Sequence, residues 1–402
     1  MALDISGFDL NRIGPDFIED PHPVLHALRT QQPMFRNEDG SVYLTRHDDC
    51  LKVYQSRDML SDKREAFGRK FGQCPLLTHH TTSLIFNDPP YHTVVRKLIS
   101  GAFTPRKLAE FQPLIEGIVD RLIDRVEEMG EFDLVEDFAK VLPTEIISFM
   151  LGIPDEYRAR LRGYSVAILG ALDPVVPPER EAEGNRAVEE FGAILNDLID
   201  HRRRNPDGAS EGEVLEALIF GTHDGRSLTQ EELVQNCIFL LNAGHETTTS
   251  FVSNAVGTLF DNPDEHRRLL QDPDLITTAV EEFLRVESPL QIGNRLAGED
   301  IELSCGTVPK GTYIHTSIAG ANRDPDVFDN PDRLDLGRKP NRHIAFITGI
   351  HVCLGATLAR IEGRIAIGRF VERFPKLQQT GPRTRLPLAR FRGYTSFPVR
   401  IR

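Results

Sequence analysis

The sequence predicts a mainly α-helical fold with a minor β region (α+β). Apolar residues recur at helical spacing over long segments, whereas only short runs alternate as strands do. No internal repeat or long hydrophilic linker divides the chain, so we expect a single domain over residues 1–402.

The predicted helices share apolar positions three and four residues apart. They cover 106–129, 141–152, 185–204, 229–260, 274–286 and 354–373. Alternating side chains at 41–45 and 313–317 predict strands. The Pro-rich stretch 173–178 lies between helical patterns. It is interpreted as a helix–helix connection, with a mobile lid as the alternative.

Composition and local patterns exclude several classes of protein. The formal net charge of −13 disfavours nucleic acid as a partner. No segment approaches the ~18–20 apolar residues of a membrane span, and no signal-peptide pattern occurs at the N-terminus, so we expect a cytoplasmic protein without membrane contact. The five cysteines lack CxxC spacing, which excludes a zinc knuckle or a disulfide framework.

The predicted helix 229–260 carries polar residues in an apolar middle. Thr229 and Glu232 form a capping-box pattern at its start. Further on, Gly244, Glu246 and Thr247 place a glycine, an acid and a hydroxyl where burial is expected. Two interpretations stand equally: a tight helix crossing with Glu246 paired to a base, or a ligand groove beside Gly244 with Glu246 and Thr247 handling protons. An HExxH zinc motif is excluded, because position 249 is threonine.

The strongest signal is Cys353, which directly precedes the predicted helix 354–373. Backbone N–H groups and the dipole at a helix N-terminus favour a thiolate, and a thiolate can ligate haem iron. A lone cysteine is usually a small buried hydrophobe. The flanking Gly349 and Gly355, which let the backbone approach a flat ligand, favour a functional role here.

The segment 279–285 contains an acid–base pair, Glu282 and Arg285. Such i, i+3 pairs are common on helix surfaces, where they contribute only ~0.3 kcal/mol. Flanking apolar residues and Pro289 instead indicate a helix packed inside the protein, where the pair has structural importance.

Taken together and in this order, the motifs resemble those of the cytochrome P-450 family of haem-thiolate monooxygenases, specifically its soluble bacterial members. The cysteine loop matches at Phe346, Gly349, His351, Cys353 and Gly355. The long-helix motif matches at Ala243, Gly244, Glu246 and Thr247. The ExxR motif matches at Glu282 and Arg285.

The resemblance implies a cofactor, haem b, lying between the long central helix and the helix after the cysteine loop. Cys353 would be the metal ligand, and the matched loop and helix residues, including Ala243 and Gly244, would line the cofactor. Basic residues would hold its propionates: His92, Arg96, Arg295 and His343. The buried Glu282–Arg285 pair would be completed by a further arginine, either Arg323 or Arg333.

The implied activity is activation of dioxygen and hydroxylation, demethylation or epoxidation of a small to medium organic substrate. Glu246 and Thr247 would deliver protons. Electrons would come from NAD(P)H through a reductase and a small ferredoxin or flavodoxin, and the protein would act as a monomer. Basic residues predicted for that partner's docking surface are Lys97, Arg106, Lys107, Arg360 and Arg364, although ordinary solvated positions are an equal interpretation.

Two alternatives remain: a peroxide-driven or non-hydroxylating haem-thiolate enzyme, and a non-catalytic haem-binding protein. Glu246 and Thr247 favour dioxygen activation. By resemblance the substrate pocket includes parts of 72–87, the helices flanking 173–178, and the segments 241–247, 290–294 and 394–396. The side chains singled out in it are Leu290, Ile292, Asn294, Tyr394 and Thr395, and the set suits an amphipathic molecule. The basic residues Lys63, Arg64, Arg69 and Lys70 are interpreted as an exposed loop, with carboxylate binding as the alternative.

One residue departs from the family pattern. Ile347 replaces the glycine that usually follows the phenylalanine of the cysteine loop. We expect that a left-handed backbone is not obligatory at this position, and that the bulky side chain affects the local turn more than ligation.

Overall fold

The computed structural model describes residues 3–101, 103–206 and 213–402, and it confirms a mainly helical fold with small sheets. Contacts between residues group the chain into two compact units. Unit 1 comprises residues 1–60, 116–139 and 247–402, and unit 2 comprises 61–115 and 140–246.

The helices of the described residues follow the chain in order. They are α1 (Pro15–Glu19), α2 (His22–Gln31), α3 (His47–Gln55), α4 (Arg64–Phe71), α5 (Pro75–Thr82), α6 (Tyr91–Ser100), α7 (Pro105–Met129), α8 (Val141–Leu151), α9 (Asp155–Gly170), α10 (Pro178–Arg204), α11 (Glu213–Phe220), α12 (Gln230–Asp261), α13 (Pro263–Gln271), α14 (Ile276–Val286), α15 (Ile318–Ala321) and α16 (Ala356–Arg373). In the described part of the chain, no helix is both long and apolar enough to cross a membrane.

The described strands all belong to unit 1. They are β1 (Met34–Arg36), β2 (Val42–Leu44), β3 (Met59–Leu60), β4 (Glu131–Asp133), β5 (Ile292–Ala297), β6 (Ile301–Leu303), β7 (Gly306–Val308), β8 (Tyr313–Ser317), β9 (Gln378–Gln379), β10 (Thr384–Arg385), β11 (Tyr394–Ser396) and β12 (Pro398–Arg400).

The largest sheet has the order β1-β2-β8-β5-β3. The two strands predicted from alternation, β2 and β8, are parallel neighbours with Val42 opposite Ile314. Strand β5 pairs with β8 in the antiparallel sense, which places Arg295 opposite Ile314. The sheet therefore fixes the position of a basic side chain predicted for the cofactor site.

In unit 1, the C-terminal half of α12 packs with α14 and α16 around a common core. Phe251 and Ala255 of α12, Val280 and Phe283 of α14, and Ile367 of α16 are all buried in one cluster. An added Cβ on Gly363 of α16 would come within 2.3 Å of the Phe251 ring, so α12 and α16 approach closely there. This packing holds the helix after the cysteine loop against the long helix.

In unit 2, α10 packs along α9 and also contacts α5. The rings of Tyr164 and Phe191 stack with their centroids 5.7 Å apart. Asn185 accepts a hydrogen bond of 3.0 Å from the backbone N–H of Leu76 on α5. The Pro-rich stretch 173–178 joins α9 to α10, as the helix–helix connection predicted.

The predicted capping box starts α12. The Glu232 carboxylate accepts a hydrogen bond of 2.9 Å from Thr229 N, and Thr229 Oγ1 accepts one of 3.2 Å from Glu232 N. Each side chain thereby satisfies a backbone donor that the first helical turn leaves without a partner.

Candidate active site

Cys353 lies in a tight loop of unit 1, between a 3-10 turn (Gly349–His351) and helix α16. A hydrogen bond of 3.0 Å from Cys353 N to the Phe346 carbonyl oxygen closes the loop. Cys353 is exposed, whereas Cys237 is buried and burial raises the pKa of its thiol to about 12. The cysteine before α16 is therefore accessible and precedes a helix N-terminus, which favours a thiolate.

Two residues of the loop have left-handed backbone. Gly349 has φ +76°, and an added Cβ would meet the Tyr54 carbonyl oxygen at 2.1 Å, so glycine is required there. Ile347 has φ +50°. The expectation that a left-handed backbone is dispensable at Ile347 is therefore wrong: the chain keeps that conformation with a side chain for which it costs ~1–2 kcal/mol.

A strip of accessible surface runs along the middle of α12. Ala243 is exposed, and Phe239, Gly244 and Thr247 are half-buried, although the residues beside them are buried. Their spacing places them on one face of the helix. The nearest described atom to an added Cβ on Gly244 is Ile147 Cδ1, at 3.5 Å. This geometry favours a ligand groove over a tight helix crossing at Gly244.

Glu246 lies beside this strip with its carboxylate buried. Among the described residues neither carboxylate oxygen has a hydrogen-bond partner. Burial raises the pKa of Glu246 to about 7, and the charge of Arg162 opposes that shift. The Nδ1 atom of His245 is 3.9 Å from Glu246, but burial lowers the pKa of His245 to about 3, so the imidazole is neutral and no ion pair forms. His245 Nε2 instead lies 2.8 Å from Thr144 Oγ1.

A buried pair in unit 1, Thr248 and Glu362, was not predicted from the sequence. Thr248 Oγ1 donates a hydrogen bond of 2.9 Å to Glu362 Oε2 on α16. Glu362 is 3% exposed, and burial raises its pKa to about 8. The sequence offers one sign of this pair, because Glu362 is an acidic residue between Ile361 and Gly363 within the predicted helix 354–373.

The ExxR pair is fully buried, as predicted. Two nitrogens of Arg285 donate hydrogen bonds of 2.8 Å to the two carboxylate oxygens of Glu282. The carbonyl oxygens of Asn322, Pro331 and Arg333 accept further hydrogen bonds from the same guanidinium group, at 2.9, 2.6 and 3.1 Å.

The prediction of Arg323 or Arg333 as the third member of this network is wrong. Arg338 is the further base, with its Nε 3.1 Å from both oxygens of Glu282. Arg323 pairs with Asp332 at 3.1 Å instead. Arg333 contributes only its backbone carbonyl.

The predicted propionate partners have different surroundings. His92 and Arg96 lie one turn apart on α6 in unit 2. In unit 1, Arg295 is 7% exposed, with its guanidinium 5.1 Å from the centre of the Tyr54 ring. His351 is also buried, at the end of the 3-10 turn.

His343 contacts other residues of unit 1 through both of its ring nitrogens. Its Nε2 lies 3.1 Å from Glu281, and its Nδ1 accepts a hydrogen bond of 3.2 Å from Ala345 N. Glu281 also receives two hydrogen bonds of 2.7 Å from Arg360. Both ring nitrogens of His343 therefore have partners within unit 1, and the centre of its ring lies 6.1 Å from that of Phe346.

The predicted pocket residues also separate into two groups. Ile292 is buried in a core cluster with Leu25 and Tyr43, and Tyr394 is buried beneath the Arg385 guanidinium, 4.2 Å from its ring centre. These two side chains are therefore part of the buried interior of unit 1. The remaining predicted positions are half-buried: Leu290, Asn294 and Thr395.

The basic residues predicted as an exposed loop form part of a helix instead. Arg64, Arg69 and Lys70 lie on α4. Lys63, which precedes the helix, is only 4% exposed. The exposed-loop interpretation is therefore wrong for Lys63, whose ammonium group lies 5.8 Å from the centre of the Phe67 ring and 5.4 Å from that of Phe86.

Known proteins are similar to this chain in sequence and in fold. A family model described as cytochrome P-450 matches residues 34–391. The nocardicin C N-oxygenase of Nocardia uniformis subsp. tsuyamanensis is 40% identical over 92% of each chain. The vitamin D(3) 25-hydroxylase of Pseudonocardia autotrophica is 36% identical, over 94% of this chain and 92% of that protein.

A solved structure agrees closely with the fold. The P-450 BioI crystal structure, in complex with acyl carrier protein ligated to hexadec-9Z-enoic acid, superposes with a TM-score of 0.90. That match has 33% identity and covers 96% of this chain and 100% of the other. The extent of these matches, together with the cysteine loop, the α12 motif and the Glu282–Arg285 pair, shows that the chain belongs to the cytochrome P-450 family of monooxygenases.

Proposed function

We propose that the chain is a haem-thiolate monooxygenase that inserts one oxygen atom of dioxygen into a small to medium organic substrate, by hydroxylation, demethylation or epoxidation. The main support for the proposal is Cys353, which is exposed and lies in a closed loop three residues before the start of α16. The accessible strip of α12 supports it, since a flat cofactor needs an open helix face.

Haem b fits the residues available in this chain. Cys353 is the proposed iron ligand, because a thiolate donates electron density that favours O–O bond cleavage. Four basic residues are proposed to hold the anionic propionates through charge-assisted hydrogen bonds: His92, Arg96, Arg295 and His343. Further residues proposed to line the cofactor are Ala243, Gly244, Phe346, Gly349, His351 and Gly355. Bound haem would supply the dioxygen and one-electron chemistry that amino-acid side chains lack.

Glu246 and Thr247 are the proposed proton carriers. With its pKa raised to about 7, the Glu246 carboxyl both holds and releases protons near neutral pH, as a general acid must. Thr247 follows it in the chain, and its half-buried position on the accessible strip of α12 brings a hydroxyl group to that face. This pair supports dioxygen activation over a peroxide-driven reaction.

The proposed substrate is largely apolar. On the accessible strip of α12, the ring of Phe239 and the methyl group of Ala243 provide apolar surface for a substrate. Leu290 is half-buried and is proposed as a further apolar contact. The acyl carrier protein in complex with P-450 BioI is ligated to hexadec-9Z-enoic acid, and this apolar chain agrees with a substrate of this kind.

Electrons are proposed to come from NAD(P)H through a reductase and a small ferredoxin or flavodoxin. The protein that receives them is proposed to be a monomer with a single domain. Arg360 contributes little to a basic docking surface, because its charge is paired with Glu281 at 2.7 Å. The apolar side chains Ile350 and Val352, 41% and 39% exposed, lie beside Cys353 and offer such a partner an apolar contact.

The test is incorporation of isotopically labelled dioxygen by the purified holoprotein. A surrogate ferredoxin and reductase would supply electrons, and candidate substrates would be selected by their effect on the haem spin state. We expect one labelled oxygen atom in the product, with formation dependent on the reductase. A product labelled only from water, or formed only with added peroxide, would contradict the proposal.

A further inference from the structure

Tyr54, in the last turn of α3, contacts one of the basic residues proposed to hold the haem propionates. Its side chain is 3% exposed, and the guanidinium carbon of Arg295 lies over its ring, 5.1 Å from the ring centre. A cation is attracted to the face of an aromatic ring, most strongly where water is excluded. The Tyr54 ring therefore restricts the orientations that the Arg295 guanidinium group can adopt.

The hydroxyl group of Tyr54 lies against the paired strands β5 and β8. Gly293 and Thr316 are opposite each other in this antiparallel pair. The Tyr54 hydroxyl oxygen is 2.5 Å from Thr316 Oγ1. An added Cβ on Gly293 would collide with the same hydroxyl oxygen, so glycine at this position makes room for it. The far end of the tyrosine ring is thereby anchored on the sheet.

Arg295 lies on the same face of β5 as Gly293, because alternate residues of a strand point to the same side. The Tyr54 side chain therefore crosses this face, with its hydroxyl group at Gly293 and its ring beside Arg295, two residues further along the strand. Arg295 also donates a hydrogen bond of 2.7 Å from Nη1 to the Asn294 carbonyl oxygen. The strand, this hydrogen bond and the tyrosine ring together hold the guanidinium group.

The backbone of Tyr54 contacts the cysteine loop. Its carbonyl oxygen occupies the space that a side chain at Gly349 would need. Tyr54 therefore adjoins two parts of the proposed haem site within unit 1, the loop that contains Cys353 and the strand that contains Arg295. Burial raises the pKa of Tyr54 to about 12, and the charge of Arg295 opposes that shift. The phenol is therefore neutral at ordinary pH and adds no charge to the site.

We propose that Tyr54 is a positioning residue, which orients Arg295 toward the propionate that it is proposed to hold and thereby raises the reduction potential of the haem iron. A guanidinium group held at a propionate compensates its negative charge, and less negative surroundings favour ferrous iron, which has one positive charge fewer than ferric iron. Without the ring, the guanidinium group can turn toward solvent, where its charge is screened. The inference rests on the proposed haem-thiolate function and adds a residue to its site.

The test is the midpoint potential of the ferric–ferrous couple, measured by spectroelectrochemistry on the purified holoprotein. Tyr54→Leu should lower the equilibrium constant for reduction about fivefold, because the attraction between ring and cation is lost. Tyr54→Met is prepared in parallel, since its long side chain fills more of the vacated space, and the same fall is expected. Tyr54→Phe keeps the ring and should keep the potential of the parent protein. Tyr43→Leu is the matched control, because Tyr43 is 1% exposed and belongs to a different core cluster of unit 1.

A double substitution separates positioning from a merely structural role. In an Arg295→Gln background, Tyr54→Leu should cause no further change in potential, because no charge remains to be oriented. An unchanged potential in Tyr54→Leu, or equal falls in Tyr54→Leu and Tyr43→Leu, would overturn the proposal. Loss of haem from both of these variants alike would also overturn it, whereas loss confined to Tyr54→Leu and Tyr54→Met would show the same dependence on the ring. The proposed function is tested separately, by dioxygen incorporation and the carbon monoxide spectrum of the parent protein.

Discussion

Thr248 Oγ1 on α12 donates a hydrogen bond of 2.9 Å to Glu362 Oε2 on α16, and this contact joins the long helix to the helix after Cys353. Glu362 is buried, and burial raises its pKa to about 8, while the hydrogen bond from Thr248 opposes the shift. The carboxyl group is therefore mostly neutral at pH 7, which makes the contact sensitive to alkaline pH.

We predict that the stability of the protein depends on pH through Glu362. Its folded pKa of about 8 exceeds the ordinary 4.5, so its contribution is fully present below pH 4.5 and is lost as pH rises through 8. Between pH 5 and pH 9 the loss amounts to roughly 3–5 kcal/mol. Denaturant unfolding of Glu362→Gln should therefore show a flatter pH dependence than that of the parent.

The control for this measurement is Glu372→Gln, an exposed position on the same helix. It should follow the parent protein at both pH values. Identical pH dependence in Glu362→Gln and the parent would mean that Glu362 does not titrate in this range.

We predict that Arg285→Ala costs on the order of 3–5 kcal/mol, because it leaves the Glu282 carboxylate buried without its bidentate partner. The variant should be recovered in low yield or without haem. Asp264 and Arg267 form an i, i+3 pair of the same type on the surface, so Arg267→Ala should retain normal yield and haem content. If the two variants behaved alike, the buried network would not be structural.

Gly349→Ala is predicted to disrupt the cysteine loop. The added Cβ would lie 2.1 Å from the Tyr54 carbonyl oxygen, in a backbone with φ +76°. Ile347→Gly should change stability by less than ~1 kcal/mol, because relief of left-handed strain offsets the lost contacts of a half-buried side chain. The two variants are compared by their haem content after purification. If Gly349→Ala kept as much haem as Ile347→Gly, the close approach of the backbone at Gly349 would be contradicted.

Thr247→Ala is predicted to uncouple electron use from oxidation. Only a hydroxyl group is lost, so haem and substrate should still bind, while the two electrons are released as hydrogen peroxide. General acid–base contributions of this kind are ~10²–10⁴-fold. Product formed per nicotinamide consumed measures the effect, and Thr247→Ser, which keeps the hydroxyl, is the control. An unchanged ratio in Thr247→Ala would exclude proton delivery and leave the helix-shaping role of a threonine hydroxyl.

Elements with local signals were predicted well from the sequence. The helix predicted at 229–260 is observed at Gln230–Asp261, and that predicted at 106–129 at Pro105–Met129, because apolar periodicity and capping residues act over a few turns. The eight-residue helices α4 and α5 were missed, since two turns carry little periodicity.

The wrong prediction for the Glu282 network comes from a contact between distant parts of the chain. Arg338 contacts Glu282 because the segment after Asp329 folds back toward α14. Arg323 and Arg333 are closer to Glu282 in the sequence, and that closeness led to the wrong prediction. The backbone of Ile347 is set by the turn around it and overrides the preference of a β-branched residue.

Ligation of the haem iron by Cys353 is tested most directly by the absorption spectrum of the reduced carbon monoxide complex. We predict that the parent protein shows a band far to the red of a His-ligated haem. Cys353→Ser should lose that band while keeping much of the fold, because the apolar packing of Phe346 and Leu354 remains. Cys305→Ser, at a half-buried cysteine elsewhere in unit 1, should retain it. A Cys353→Ser protein that still gave the red-shifted band would contradict Cys353 as the iron ligand.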